Sequence, residues 1–307
     1  MLLEGDVRVL DVLKEKKRLQ EAGKDHAHIR PLLIIDGGLM KGVYGVGAAR
    51  AFGELGYTDV FENFGGVSSG AATIAYLVSG NGAEGERVVY EDCCSRDFVN
   101  FWRVWNIVEP KVFENALRGE TGKGLHVEQV LSYSQKLHIG LAEHNTGRPI
   151  LFHPENGEEL FLSLRASVSM PGSTRTKTYI RGVRYSDGAS TYPLAVEQMI
   201  YDIDATHILF ITNQDKHTKK IPALENFINN TVFRHRMPRP LRVAASMRWE
   251  TRHALVQRVW EEKPKPILFV WGDGSIQSFE QDPKKVKHMI DRSHQWWRDI
   301  LSEYPKP

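Results

Sequence analysis

Pro31-Leu32-Leu33-Ile34-Ile35-Asp36-Gly37-Gly38-Leu39-Met40-Lys41-Gly42 is the stretch that decides the fold. Its first five residues form a short apolar run bounded by Pro and by Asp-Gly, which predicts a buried strand. The glycine loop that follows exposes consecutive backbone N–H groups, and such a loop can hold an anion or a developing oxyanion. Residues 43–55 then form a predicted helix rich in Ala and Gly, which Gly56 ends.

The same succession is repeated directly downstream, around a serine. Residues 60–66 predict a second strand, Gly66-Val67-Ser68-Ser69-Gly70 matches G-x-S-x-G, and residues 71–79 predict a second helix. A serine on such a strand-to-helix turn is pushed out of the sheet, toward the N–H groups that begin the helix. The alternation of strands and helices predicts an α/β fold, with a parallel sheet covered by helices on both faces.

The remainder of the chain continues this pattern. Further strands are predicted at 149–153, 159–163, 178–185, 207–212 and 267–271, and further helices at 7–21, 193–201 and 283–301. We interpret residues 1–30 as an N-terminal helical extension and residues 31–307 as a single domain with an inserted or appended helical region.

Composition excludes several classes of protein. The 307 residues are 41% hydrophobic and 25% charged with a net charge of +2, which argues against disorder and against nucleic acid as a partner. Cys93 and Cys94 are the two cysteines, and an adjacent pair suits neither a disulfide nor a zinc cage, so no metal or cofactor is predicted. No apolar run is long enough for a signal peptide or a membrane span, which predicts a cytoplasmic protein.

Asp187-Gly188-Ala189, at the end of a predicted strand, supplies a carboxylate that could accept the Ser68 proton. The order D-G-G-x-x-K-G, then G-x-S-x-G, then D-G-A resembles the patatin-like phospholipases, and specifically their bacterial branch. Residues 165–171 resemble the A-S-x-x-x-P stretch that precedes the Asp strand in that family. Leu39 departs from the pattern, because many members have a third glycine there. A side chain is tolerable at this position if its φ stays negative.

The resemblance implies a three-layer α/β sandwich with a mostly parallel central sheet and a helical cap, over a patatin-like hydrolase domain at 31–307. It implies a lipid acyl hydrolase with a Ser–Asp dyad, in which Ser68 is the nucleophile and Asp187 the general base. The N–H groups of Gly37, Gly38 and Leu39 would form the oxyanion hole. The motif positions that would support this site are Lys41, Gly42, Gly66, Gly70 and Gly188.

Three alternatives remain open at this stage. An α/β-hydrolase would complete a Ser-Asp-His triad with one of four downstream histidines: His207, His217, His235 or His253. The Gly37–Gly42 loop could instead bind a nucleotide or phosphate, although the P-loop spacing is absent. Gly80–Gly85 matches G-x-G-x-x-G but follows a helix, which favours a helix stop. A catalytically silent lipid-binding protein on the same fold is the third alternative.

The expected partner is an acyl lipid or phospholipid, with transient contact to a membrane surface. Aromatic residues between the serine helix and the later strands could form an acyl pocket or a lid: Phe98, Phe101, Trp102, Trp105 and Phe113. Two basic stretches, 216–220 and 234–242, would suit anionic head groups, although solvated loops are the plainer interpretation. The sequence gives no indication of oligomeric state.

Overall fold

The computed structural model describes residues 1–103, 106–191, 194–217, 231 and 235–302, without the side chains of residues 248 and 249. Within these residues, nine strands form one sheet: β1 (Leu2–Gly5), β2 (Pro31–Ile35), β3 (Asn63–Val67), β4 (Leu137–Glu143), β5 (Pro149–Phe152), β6 (Thr178–Ile180), β7 (Val183–Asp187), β8 (His207–Asp215) and β9 (Ile267–Gly272). Their order is β1-β9-β8-β2-β3-β4-β7-β6, and β5 pairs with β4.

The centre of the sheet is parallel and its margins are antiparallel. Strands β9, β8, β2, β3 and β4 pair in parallel, whereas β1, β5, β6 and β7 run antiparallel to their neighbours. All five residues of β2 are buried. Leu33 and Ile35 join the core on one face of the sheet, and Leu32 and Ile34 join the core on the other. This double burial makes β2 an uninterrupted apolar run and confirms the three-layer α/β prediction.

Ten α-helices surround the sheet in the described part of the chain: α1 (Arg8–Glu21), α2 (Val43–Glu54), α3 (Ser69–Val78), α4 (Gly82–Arg87), α5 (Pro110–Leu117), α6 (Val127–Ser132), α7 (Gly157–Ser167), α8 (Leu194–Asp202), α9 (Arg239–Glu262) and α10 (Pro283–Ser302). Helices α1, α2, α3 and α10 contribute to the core on the Ile35 face, and α8 and α9 to the core on the Ile34 face.

A helical cap lies between β3 and β4. Helices α4, α5 and α6 belong to it, together with a π-helical turn at Val88–Cys93. Phe98 and Phe113 in this region are buried in the core on the Ile35 face. The cap therefore packs on the same side of the sheet as the helix that follows Ser68.

Several predicted elements need correction. The strand predicted at 159–163 is wrong, because these residues belong to helix α7. Asn156 caps that helix by accepting a hydrogen bond from the N–H of Glu159 at 2.9 Å. The strand predicted at 178–185 is a hairpin, β6 and β7, that turns at Arg181 and Gly182, both with positive φ.

The N-terminal segment contains a strand as well as the predicted helix. Strand β1 pairs antiparallel with β9, and α1 buries Val9, Leu10 and Leu13. Strand β1 was not predicted, nor was β4, the central strand beside β3. The start of the helix predicted at 193 lies outside the described residues, whereas α10 matches the prediction at 283–301. The domain boundary at residue 31 stays a prediction.

Candidate active site

Ser68 lies on a strained turn between β3 and α3. Its φ is +54° and its ψ −129°, a conformation that L-residues rarely adopt. The flanking glycines leave the space that this turn needs. A Cβ on Gly70 would lie 2.0 Å from the carbonyl oxygen of Ile35, and one on Gly66 would lie 2.4 Å from the Cα of Ala71. The G-x-S-x-G spacing therefore follows from the steric limits of this turn.

The side chains of Ser68 and Asp187 are in direct contact. Ser68 Oγ donates a hydrogen bond to Asp187 Oδ2 at 3.0 Å, and each residue is only 3% exposed. The other carboxylate oxygen, Oδ1, accepts from the N–H of Ala189 at 2.8 Å. Gly188 lets this turn approach β4, because a Cβ there would lie 2.5 Å from the carbonyl oxygen of Gly140. The fold thus brings together two residues that are 119 positions apart.

Residues in the stretch 165–171 hold both members of this pair through hydrogen bonds. Ser167 Oγ accepts a hydrogen bond from the N–H of Ser68 at 2.8 Å and donates to the carbonyl oxygen of Gly140. The carbonyl oxygen of Ser169 accepts from the N–H of Asp187 at 3.1 Å. Sequence reasoning named this stretch as a motif but assigned no role to Ser167 or Ser169, and the structure shows that they orient the backbone of the pair.

The glycine loop lies against the serine turn. A Cβ on Gly37 would lie 2.6 Å from the Cβ of Ser68. Of the three N–H groups predicted for an oxyanion hole, that of Gly37 donates to the carboxylate of Asp36 at 2.7 Å. The N–H groups of Gly38 and Leu39 donate no hydrogen bond to another described residue. They are therefore the two members of the predicted set that can donate to a ligand.

Leu39 does not meet the condition of a negative φ that the sequence pattern set for a side chain at this position. Its φ is +52°, not negative, so the loop adopts a left-handed conformation at a residue with a branched side chain. That conformation costs about 1–2 kcal/mol for an L-residue. A glycine at this position would avoid this cost, and here the surrounding structure holds Leu39 in place.

The side chain of Asp36 is buried, and that of Lys41 is partly buried. Burial raises the pKa of the Asp36 carboxyl to about 6, while the positive charge of Arg252 and the Gly37 N–H act in the opposite direction. Burial lowers the pKa of the Lys41 ammonium, and the positive charge of Arg252 lowers it further. Lys41 Nζ donates to Gln214 Oε1 at 3.2 Å, so this lysine is held against β8 instead of extending freely into solvent.

Two residues at the end of β8 hold the glycine loop, and sequence reasoning missed both. Asn213 is fully buried; its Nδ2 donates to the carbonyl oxygen of Asp36 at 2.6 Å, and its Oδ1 accepts from the N–H of Gly45 at 2.8 Å. Gln214 Nε2 donates to the carbonyl oxygen of Gly37 at 3.3 Å. These amides connect both ends of the loop to the sheet. A buried amide at the end of an apolar strand was the available signal in the sequence.

An apolar cavity adjoins Ser68, with about 670 Å³ of empty space including the solvent at its opening. Its walls come from the glycine loop, from α2 and α3, and from the cap. Ser68 and Ser69 lie among mostly aliphatic and aromatic neighbours, which include Leu39, Met40, Val46, Tyr76, Val88, Phe98 and Phe113. Apolar walls of this kind beside a serine hydroxyl suit the hydrocarbon chain of a ligand.

The other predicted residues occupy different places. Phe98 and Phe113 line the cavity, whereas Phe101 and Trp102 are exposed; Trp105, residues 218–220 and residue 234 lie outside the described residues. Gly80 ends α3 with a φ of +73°, as expected of a helix stop.

The four candidate histidines differ from the buried Ser68–Asp187 pair in their position or their exposure. His207 begins β8, at the edge of the sheet opposite to the glycine loop, where it pairs in register with Pro31. His217, His235 and His253 are exposed on the surface.

The parallel sheet, the glycine-flanked serine turn and the adjoining apolar cavity define an α/β protein that can hold an apolar chain beside a serine hydroxyl. A family model described as patatin-like phospholipase matches residues 33–200, which is more than half of the chain. The chain therefore belongs to the patatin-like phospholipase family. No curated protein matches it significantly. The bacterial branch stays a prediction.

Family membership confirms the predicted resemblance and supports a hydrolase that acts on lipid esters. Among the described residues, no helix has the length and apolar character needed to cross a bilayer. The same part of the chain contains no group of three His, Cys, Asp or Glu side chains placed to hold a metal ion.

Proposed function

We propose that this protein is a lipid acyl hydrolase, a phospholipase A or carboxylic ester hydrolase, which uses Ser68 and Asp187 as a catalytic dyad. The observation that carries the proposal is the 3.0 Å hydrogen bond from Ser68 Oγ to Asp187 Oδ2 beside an apolar cavity. The proposal extends to transient contact with a lipid surface, since the acyl chain must leave a lipid aggregate to enter the cavity.

In this mechanism Ser68 Oγ attacks the ester carbonyl carbon as its proton passes to Asp187. The N–H groups of Gly38 and Leu39 donate to the developing oxyanion. The tetrahedral intermediate then collapses, the leaving alcohol takes the proton from Asp187, and an acyl-enzyme remains. Asp187 next takes a proton from water, whose oxygen attacks the acyl carbon, and the fatty acid departs as Ser68 Oγ regains a proton.

A carboxylate is a weak base for a serine hydroxyl, because its ordinary pKa lies near 4. Three features of the site compensate for this weakness. Burial of both side chains excludes water and strengthens each electrostatic interaction. An oxyanion donor contributes about 3–4 kcal/mol of transition-state stabilisation. The α3 N-terminus, which begins at the residue after Ser68, adds a positive dipole end beside the nucleophile.

The direct contact favours the dyad over a Ser-Asp-His triad, because Asp187 reaches the nucleophile without an intervening imidazole. The nucleotide-binding alternative is less well supported, because the cavity beside the glycine loop is lined by apolar side chains. Isothermal titration with nucleotides at millimolar concentration tests that alternative, and measurable binding would favour it.

The experiment that tests the proposal is fluorophosphonate labelling, with the adduct located by mass spectrometry, and hydrolysis of a water-soluble short-chain ester. Ser68→Ala should abolish both labelling and turnover, and Asp187→Asn should lower kcat by about a thousandfold or more. Ser132→Ala and Asp299→Asn are matched controls on exposed helix positions and should behave as wild type. Labelling at another serine, or turnover that survives in Asp187→Asn, would refute the dyad.

A further inference from the structure

Three exposed aromatic side chains lie beside the apolar cavity. Trp102 is 91% exposed, Phe101 57% and Phe279 37%. The rings of Phe101 and Phe279 meet edge to face, with centroids 5.2 Å apart, although the two residues are far apart in sequence. We call these three side chains the aromatic surface. A tryptophan that is almost completely exposed is unusual, and clustered exposed aromatic residues mark a contact site on a soluble domain.

The aromatic surface is continuous with two walls of the cavity. Phe98, which lines the cavity, precedes Phe101 by three residues. Met40, which lines it from the glycine loop, donates its N–H to the carbonyl oxygen of Ser278, the residue before Phe279. Gln281 Nε2 also donates to the carbonyl oxygen of Val99 at 2.7 Å, which joins the two segments. Whatever contacts these aromatic residues is therefore brought next to the cavity that holds Ser68.

The charges on the segments near Phe101 and Trp102 are mostly positive, and beside Phe279 the charge of Glu280 is paired with Lys285. Residues 106–111 and 173–177 are joined by hydrogen bonds from the N–H of Val108 to the carbonyl oxygen of Ser173 and from the N–H of Arg175 to Asn106 Oδ1. Five cationic side chains lie on these two segments and on residues 95–103: Arg96, Arg103, Lys111, Arg175 and Lys177. The acidic side chains of these segments are Asp97 and Glu109, and Glu109 accepts hydrogen bonds from Asn106 and Thr176. Apart from Arg103 these cations are exposed, and none of them forms an ion pair with a described residue.

We propose that the aromatic surface docks this protein onto an anionic phospholipid bilayer, where Phe101, Trp102 and Phe279 enter the head-group region and the surrounding cations face lipid phosphates. The proposal rests on the proposed function, because the lipid would be the source of the acyl substrate. Tryptophan suits the boundary between apolar chains and head groups, since its ring is apolar and its N–H is polar. Basic side chains near the surface strengthen attraction to an anionic leaflet.

The test is sedimentation with vesicles in the Ser68→Ala background, so that the lipid stays intact. Vesicles of phosphatidylcholine with phosphatidylglycerol should bind the protein more tightly than vesicles of phosphatidylcholine alone. Trp102→Ala should weaken that binding by roughly tenfold, and the double variant Phe101→Ala/Trp102→Ala by more. Tyr179→Ala is the matched control, an aromatic residue 53% exposed on edge strand β6, and should bind as its parent.

Three results would overturn the docking surface. One is the absence of vesicle binding by the parent protein, and another is equal binding by the Trp102 variant and its parent. The third is a dimer in analytical ultracentrifugation that Trp102→Ala converts to a monomer, which would assign the surface to a second copy of this chain. Hydrolysis of a water-soluble ester separates the two proposals: a protein that binds vesicles but hydrolyses no ester retains the docking surface and loses the dyad.

Discussion

Replacing Asn213 by Ala or by Gly should uncouple the glycine loop from the sheet. Either change removes the hydrogen bonds to Asp36 and Gly45, at 2.6 and 2.8 Å, and leaves a buried C=O and a buried N–H without their partner. Each such orphan costs about 1–3 kcal/mol, so the free energy of unfolding should fall by about 2–6 kcal/mol. The φ of Asn213 is +53°, which Gly tolerates and Ala does not. The Gly variant should therefore be about 1 kcal/mol more stable than the Ala variant.

Catalytic activity should depend on the hydrogen bonds of the Asn213 side chain and not on the backbone strain at this position. Both variants release the carbonyl of Asp36 and leave Gln214 as the remaining β8 amide that holds the loop, so the N–H groups of Gly38 and Leu39 are positioned less firmly. A displacement of about 1 Å in a catalytic group can cost about a hundredfold in rate. We expect kcat to fall by roughly ten- to a hundredfold in both variants. KM for a short-chain ester should change less than kcat, because α2, α3 and the cap supply most of the cavity wall. Steady-state kinetics on a soluble ester and denaturant unfolding give the two quantities.

Asn63→Ala is the control, since Asn63 begins β3 at the end of that strand opposite to Ser68. It should change stability without changing kcat. Wild-type kcat in both Asn213 variants would show that the loop needs no amide to hold it. Recovery of kcat in the Gly variant relative to the Ala variant would assign the effect to backbone strain instead of the lost hydrogen bonds.

Three further substitutions test other parts of the site and the core. Gly70→Ala should lower the free energy of unfolding by several kcal/mol and abolish ester hydrolysis, because its Cβ would lie 2.0 Å from the carbonyl oxygen of Ile35; normal denaturant unfolding would contradict this. Leu39→Gly should keep kcat on short-chain esters but raise KM for long-chain esters, because Leu39 lines the cavity; equal KM changes for both would contradict that role. Burial lowers the pKa of His144 to about 4, so its stabilising contribution is present above pH 6.5 and is lost as the pH falls toward 4. His144→Gln should make unfolding free energy less dependent on pH in that window, by up to about 1.4 kcal/mol per pH unit, and an unchanged slope would exclude His144 as the source.

The sequence was sufficient to predict the parts of the site that depend on local steric limits. A strand followed by G-x-S-x-G has few conformations, because Gly66 and Gly70 are the positions where any side chain would collide with the backbone. The burial of β2 was equally predictable from the sequence, since both faces of a central parallel strand are apolar. Its place beside β3 and β8 depends on packing across the whole chain and is seen only in the structure.

Elements whose character comes from tertiary packing were not predictable in the same way. In β4, Leu137, Ile139 and Leu141 alternate at strand spacing, but Gly140 interrupts the apolar run, and it is small because Val67 and Ala195 press against it. Residues 159–163 look like a strand when read alone, but Leu160 and Leu164 repeat at helical spacing, and both are buried. The correct period is visible only over the full length of α7.

Backbone strain shows why the site depends on three central strands, β2, β3 and β8. Ser68 follows β3, Leu39 lies just beyond β2, and Asn213 lies near the end of β8, and each has a φ between +52° and +54°. The three strands are parallel neighbours, so these strained residues lie at one edge of the sheet. Non-glycine residues in this region persist only where the surrounding structure holds them, and they concentrate at functional sites. The rigid parallel sheet stabilises all three residues together. It thereby fixes the relative positions of Ser68, the N–H groups of the glycine loop and the Asn213 side chain that holds this loop.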